Sequence, residues 1–188
     1  MGMGEPFLNY DATMASLRRL TDSTGMNFGA RRITISTVGI IPKIEKFSRE
    51  SLQVNLAVSL HSADNELRSQ IVPANRIYPL KNLISACRAY TELTHRRISF
   101  EYALIKDLND TQPAAAQLAG LLKGMLCHVN LIALNPSKAY PLQGSSKEKV
   151  QAFADALAER GIPVTVRLRR GIEIQAGCGQ LASSQNPL

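Results

Sequence analysis

Val54-Asn55-Leu56-Ala57-Val58-Ser59-Leu60 is the stretch on which the fold reading turns. It is apolar almost throughout, too short to be read as an amphipathic helix, and followed at once by polar residues. Runs of that length and character are strands of a parallel sheet whose two faces are both covered. Working outward, residues 32–37 (RITIST), 97–105 (RISFEYALI), 129–134 (VNLIAL) and 164–168 (VTVRL) have the same strand character. Segments of helical period lie between them. Leu80, Leu83, Ile84, Cys87 and Tyr90 fall on one stripe of a helix over residues 80–93, which makes Cys87 a core residue. Pro113 opens a second helix with Leu118, Leu121, Leu122 and Met125 as its buried stripe, and Cys127 just beyond it reads as structural. Over residues 145–160, Ser145 and Glu148 form a capping-box pattern, Val150, Phe153 and Leu157 face inward, and Gly161 ends the helix. Residues 11–20 and 43–49 are further helices. Repeated strand–helix units without an internal sequence repeat predict an α/β class, with a parallel sheet or partial barrel.

Composition bounds the function. The 188 residues are 45% hydrophobic and 20% charged, which suits one globular domain and excludes disordered and fibrous classes. No apolar run reaches the roughly 20 residues that a membrane-spanning helix needs. The opening residues carry no signal-peptide pattern, and three widely spaced cysteines argue for a reducing compartment, so a cytoplasmic location is expected. A formal charge of +7 favours a polyanionic partner such as nucleic acid.

In parallel α/β sheets ligands collect beyond the C-terminal strand ends. Five such places carry chemistry: Gly4-Glu5-Pro6, Ser36-Thr37, Ser59-Leu60-His61, Asn135-Pro136, and the loop over residues 173–181. Gly4 would permit close backbone approach, and the Glu5 carboxylate can accept a charge-assisted hydrogen bond from an amine. A plain turn ahead of a helix explains the same tripeptide. Ser36 and Ser59 could hold a carboxylate or a ribose, or simply cap their loops. His61 is either a titrating group or a hydrogen-bonded structural residue. Asn135, held extended before Pro136, could present its amide to a ligand or start a turn. Cys178, flanked by Gly177 and Gly179, is sterically accessible, as a nucleophilic thiolate must be, although no histidine lies near it in sequence. Arg31, Arg32, Arg167, Arg169 and Arg170 are expected to border these strand ends, as phosphate contacts or as a solvated rim.

Taken in order, Gly-Met-Gly-Glu-Pro with Leu8-Asn9-Tyr10, Arg31-Arg32-Ile33-Thr34-Ile35-Ser36-Thr37, Asn55-Leu56-Ala57-Val58-Ser59-Leu60-His61, Phe100-Glu101-Tyr102, Asn109-Asp110, Val129-Asn130-Leu131-Ile132, Asn135-Pro136 and Cys178-Gly179-Gln180-Leu181 resemble the dual-specificity adenine-C2 RNA methyltransferases of the radical S-adenosylmethionine (SAM) superfamily. The resemblance covers residues 1–182, a partial radical-SAM barrel, and leaves residues 183–188 as a disordered tail. It implies methylation of C2 of adenosine in large-subunit rRNA and tRNA. It also implies that Gly4, Glu5, Ser36, Ser59, Leu60, His61 and Asn135 line the SAM site, with Glu5 meeting the methionine ammonium, and that Cys178 carries the methyl group. In that chemistry one SAM methylates the thiol and a second, cleaved at a 4Fe-4S cluster, yields the 5′-deoxyadenosyl radical that activates the S-methyl carbon. A reductant such as flavodoxin is the expected electron donor.

The family's Cys-x3-Cys-x2-Cys cluster loop, its N-terminal accessory domain, its first barrel strand and its second catalytic cysteine are expected ahead of Met1. Cys87, Cys127 and Cys178 do not have the spacing to replace that loop. The chain alone is therefore expected to be inactive. Two other readings fit the same blocks: a related adenine-C8 rRNA methyltransferase that gives antibiotic resistance, and a non-catalytic remnant.

Overall fold

A computed structural model describes residues 4–135 and 142–167. Five strands, β1 (Thr34–Thr37), β2 (Asn55–Ser59), β3 (Ile98–Leu104), β4 (Cys127–Ala133) and β5 (Val164–Arg167), form one sheet in sequence order, every pair parallel. Helices α1 (Tyr10–Thr21), α2 (Ile41–Phe47), α3 (Asn65–Ile71), α4 (Leu80–Thr94), α5 (Gln112–Leu122) and α6 (Lys147–Ala158) precede, connect or follow the strands. Each strand pairs with the next in sequence, the arrangement of a partial barrel rather than a doubly wound sheet.

Local chemistry explains the helix ends. Thr111 caps α5 by accepting from Ala114 N, and Pro113 sits in the first turn, where its missing N–H has no partner to lose. The α6 cap differs from the capping-box reading by one residue. Ser146, not Ser145, accepts from Lys149 N, because the Ser145 hydroxyl is turned inward to donate to Asp110 Oδ2 at 2.7 Å. Helix α3 and the short 3-10 turn over Pro73–Arg76 were not anticipated. Asp64 starts α3 by accepting from Leu67 N, a recognisable cap, but the helix lacks the apolar stripe that flags the others. Gly39 makes the turn after β1 with φ +110°, and a Cβ there would lie 2.9 Å from Leu83 of α4. Both the dihedral and the close approach require glycine.

The core lies on one face of the sheet. Ile35, Leu56, Val58, Ile98, Phe100, Tyr102, Leu104, Val129 and Leu131 are buried there against Ile44, Phe47, Leu83, Tyr90, Leu118, Leu122, Phe153 and Leu157 of the helices. The predicted inward stripes of α4 and α6 are all buried, as are Leu118 and Leu122 of α5, while Leu121 and Met125 are partly covered. Cys127 is the first residue of β4 and, like Cys87, is buried in the core. The expectation of two apolar-covered faces is corrected by the alternate residues. Thr34 and Ser36, Asn55 and Ser59, Ser99 and Glu101, His128 and Asn130, and Thr165 and Arg167 occupy the other side of the same strands. Strand alternation has period two, and reading the strands as apolar blocks hid a polar face among larger aliphatic neighbours.

Candidate functional site

The polar face borders a cleft of about 880 Å³, whose lining includes Glu5, Ser36, Glu101, Asn130, Thr165 and Arg167. Its near wall comes from Gly4, Glu5 and the 3-10 turn Pro6–Asn9 that leads into α1. Gly4 has φ +81° and nothing within 4 Å of where a Cβ would stand. Glycine serves a left-handed turn here, and the space beside its Cα is open toward the cleft. That turn directs Glu5 across to β1. Its Oε1 accepts from Phe7 N at 3.0 Å and its Oε2 from Val38 N at 2.7 Å, so the carboxylate is fixed by two backbone donors. Each oxygen retains a further lone pair.

Beneath these loops lies a buried guanidinium that the sequence did not flag. Arg68, on α3, has no exposed surface; Nε donates to Leu60 O at 3.0 Å, one NH₂ to Asn75 Oδ1 at 2.7 Å, and the other to Val38 O at 2.8 Å and Ser59 O at 3.0 Å. Burial pushes its pKa down to about 10. All four acceptors are uncharged oxygens. One planar side chain thus ties the loop after β1, which also binds Glu5, to the loop after β2, using the fixed fork geometry that lysine lacks.

His61 follows immediately, in the left-handed region at φ +59°. Its Nδ1 accepts from Ala103 N at 3.0 Å, and Asn109 holds the segment by donating from Nδ2 to His61 O at 2.7 Å and to Ala103 O at 2.8 Å. Burial first, and the Arg68 charge second, depress the imidazole pKa to about 4. Of the two sequence readings, the geometry supports the structural histidine, because Nδ1 must stay unprotonated to accept that backbone bond. Asn109 and Asp110 are likewise scaffold. Asn109 Oδ1 accepts from Ile105 N, and Asp110 receives Ser145 and the backbone N–H of Asp107.

On the polar face, β2, β3, β4 and β5 bring Ser59, Glu101, Asn130 and Thr165 into one cross-strand row. Asn130 Nδ2 donates to Glu101 Oε1 at 2.9 Å. Glu101 is only 3% exposed, and its Oε2 is buried with no partner among the described residues. Asn135 Oδ1, just past the end of β4, is in the same condition. A buried acceptor left without a donor is disfavoured by about 1–3 kcal/mol, more for a charged group.

Of the residues nominated from the sequence, Gly4, Glu5 and Ser36 line the described cleft. Ser59 stands beside it in register with Glu101, Leu60 is wholly buried, His61 is turned onto β3, and Asn135 closes β4; these four are not among the cleft's lining. Glu101 and Asn130 line the cleft and were not singled out as candidates from the sequence. Their signal was a charged and an amide residue at alternate positions of otherwise apolar strands. Arg31 and Arg32 precede β1 and so lie at the opposite end of the strands from the one expected; among the described arginines of this set, Arg167 on β5 reaches the cleft. Arg31 instead shares a second, basic cleft of about 530 Å³ with Arg96 and Arg97. Arg169, Arg170, Pro136 and the Cys178 loop are outside the described residues. Burial pushes the Cys87 thiol up to about 12 and raises that of Cys127, so neither serves as a nucleophile. No group of three His, Cys, Asp or Glu side chains among the described residues could hold a metal ion.

Comparison with known proteins decides the lineage. No family model matches the chain. It is 53% identical over 181 residues to a protein of Caldanaerobacter subterraneus named a probable dual-specificity RNA methyltransferase RlmN, aligning with 96% of this chain and 53% of that one. A radical SAM methyltransferase from Sphaerobacter thermophilus, solved by crystallography, superposes with a TM-score of 0.93 at 56% identity, over 96% of this chain and 53% of its own. The chain is a homologue of the radical SAM methyltransferases. A domain of a pyruvate-formate lyase-activating enzyme from Bacteroides vulgatus, at 16% identity and a TM-score of 0.68, shares the fold. The chain spans about half the length of the curated relatives it matches. Against this family's two cofactors the described residues divide. An unpartnered buried acceptor, Glu101 Oε2, in the same cleft as the fixed Glu5 carboxylate fits SAM, which carries an ammonium, ribose hydroxyls and an adenine amine as donors. Nothing in the described residues fits an iron–sulfur cluster.

Proposed function

We propose that this chain supplies the SAM-binding sheet and the methyl-carrying cysteine, Cys178, of a cytoplasmic enzyme that methylates C2 of adenosine in large-subunit rRNA and tRNA. The observation that carries the proposal is the cleft between Glu5 and β3–β5, where a fixed carboxylate and the orphaned Glu101 Oε2 share one wall-to-wall space. A volume of about 880 Å³ is within the usual range for cofactor pockets. The names of the relatives support the reaction class and the RNA substrate. Among the described residues, no helix is long and apolar enough to cross a membrane.

Each residue has a role in this reading. Glu5, aligned by Phe7 N and Val38 N, receives the methionine ammonium; Gly4 and Ser36 line the same cleft, and Ser59, Leu60, His61 and Asn135 belong to the strand ends and loops beside it that complete the SAM site. Arg68 holds two of those loops in register. The 4Fe-4S cluster would supply the electron for SAM cleavage, with a reductant such as flavodoxin behind it. Its ligands are assigned to cysteines upstream of this chain, since the two thiols described here are buried and belong to no group that could hold a metal ion. A cysteine carrier suits the substrate, because C2 of adenine is too poor a nucleophile to take a methyl group from SAM directly.

A polypeptide joining this chain to the remaining half of the Caldanaerobacter relative tests the proposal. Nucleoside mass spectrometry of treated RNA is expected to show 2-methyladenosine with the parent and none with Cys178→Ser, whose hydroxyl is a far weaker nucleophile. Retention of 2-methyladenosine in Cys178→Ser would remove the carrier assignment, and 8-methyladenosine from the parent would replace the regiochemistry.

A further inference from the structure

Glu101 is a core-strand carboxylate to which no role attaches through the five strand-end loops. It is one of ten buried polar or charged residues among those described, and its partners are one-sided. Oε1 is engaged by Asn130 Nδ2 at 2.9 Å, while Oε2 is buried and unpartnered. The residue lines the same cleft as Glu5 and stands level with Ser59 in the β2–β3 register. Its main chain joins the same place, since Glu101 O accepts from Leu60 N at 3.0 Å. The strand therefore locks the side chain directly beside the loop that frames the ligand.

A buried carboxylate oxygen with an open lone pair selects a hydrogen-bond donor, and the strongest neutral choice is a hydroxyl, which makes a short charge-assisted O–H···O⁻ bond. A second cation at this depth would bring its own desolvation penalty, and Glu5 already offers a carboxylate at the cleft's other wall. Acidic side chains read sugar hydroxyls in this way in other α/β nucleotide sites, beyond the strand ends. We infer that Glu101, oriented by Asn130, is a ligand-contacting residue that accepts a hydrogen bond from a ribose hydroxyl of the SAM bound in this cleft. The inference rests on the SAM reading of the site and adds a contact to it.

Isothermal calorimetry on the 188-residue chain with SAM and with its 2′-deoxy and 3′-deoxy analogues tests it, using wild type, Glu101→Gln and Glu101→Asp. Glutamine keeps the shape and the acceptor toward Asn130 but presents an amide donor where the free oxygen stood; aspartate keeps the charge and withdraws it by one methylene. Both variants are expected to lose about 10- to 100-fold in SAM affinity, the size of one hydrogen bond to a charged group. Wild type is expected to lose the same factor on one of the two deoxy analogues. For that analogue the substitutions are expected to change affinity less than about twofold, since the interacting pair is already broken. Equal loss on SAM and both analogues, no loss in either variant, or equal binding of all three ligands by wild type overturns the inference while leaving the SAM site standing. Failure of wild type to bind SAM at all overturns the SAM reading and this contact with it.

Discussion

The two faces of this sheet are made by alternate residues of the same strands, yet they are built for opposite ends. On the helix-covered face, Phe100, Val129 and Leu131 are completely buried among aliphatic and aromatic neighbours, and the Tyr90 hydroxyl is the one buried side-chain polar atom there, among the described residues, without a partner. On the other face, one residue away along the same backbone, Glu101 and Asn130 are tied to each other while one carboxylate oxygen is left unmatched. Stability is concentrated on the first face, and the unmatched carboxylate oxygen lies on the second. Such a division lets the cleft side vary without dissolving the core, and it predicts which substitutions damage folding and which spare it.

The largest expected effect is on the core face. Phe100→Ala should destabilise the chain by about 3–5 kcal/mol, through lost transfer energy and the cavity left behind, as read by urea unfolding. A loss under about 1 kcal/mol would mean that the helix-covered face is not the seat of stability.

Arg68→Met probes the seam between the faces. The buried charge goes, but the oxygens of Val38, Ser59, Leu60 and Asn75 lose their donor, so a loss of about 2–4 kcal/mol is expected. Removing the guanidinium should also raise the His61 pKa above its present value of about 4, because that charge contributes to the depression. Imidazole NMR titration of the wild type and the variant measures it. An unchanged His61 titration would separate the two residues.

His61 also gives the pH dependence a sign. Its folded pKa lies below the usual histidine value of 6.5, at about 4, so the unfolded state binds more protons between those values. The His61 contribution should be complete above about pH 6.5 and should fall as pH drops toward 4. Urea midpoints at pH 7 and pH 5, compared with His61→Gln, isolate it; equal pH dependence in the two proteins would contradict the assignment.

The smallest effects distinguish adjacent serines at the start of α6. Ser146→Ala should lower stability by about 1 kcal/mol through loss of the cap on Lys149 N, and Ser145→Ala by about 1–2 kcal/mol through loss of its buried bond to Asp110. If Ser146→Ala is neutral, the cap belongs to Ser145 after all.

These elements also mark how far the sequence could be read. The strand runs, the stripes of α4 and α6 and the convergence of Gly4, Glu5 and Ser36 at one end of the sheet were visible because period and strand-end position are local properties. Arg68 was not visible, since a guanidinium satisfied by three backbone carbonyls and one neutral amide oxygen leaves no charge pattern in the sequence around it. Glu101 has no signal of its own in the sequence beyond its place in the block Phe100-Glu101-Tyr102. Its meaning depends on Asn130, 29 positions away, and on strand register that no local window contains. The error over Arg31 and Arg32 was one of direction: residues that precede a strand stand at its start, away from the ligand end.

The most direct test of the two-face account is SAM titrated into the ¹⁵N-labelled chain and followed by amide NMR. Shifts concentrated at Glu5, Ser36, Val38, Ser59, Glu101 and Asn130 are the predicted result. Shifts concentrated on the α4 and α6 side of the sheet, or no shifts at millimolar SAM, would contradict it.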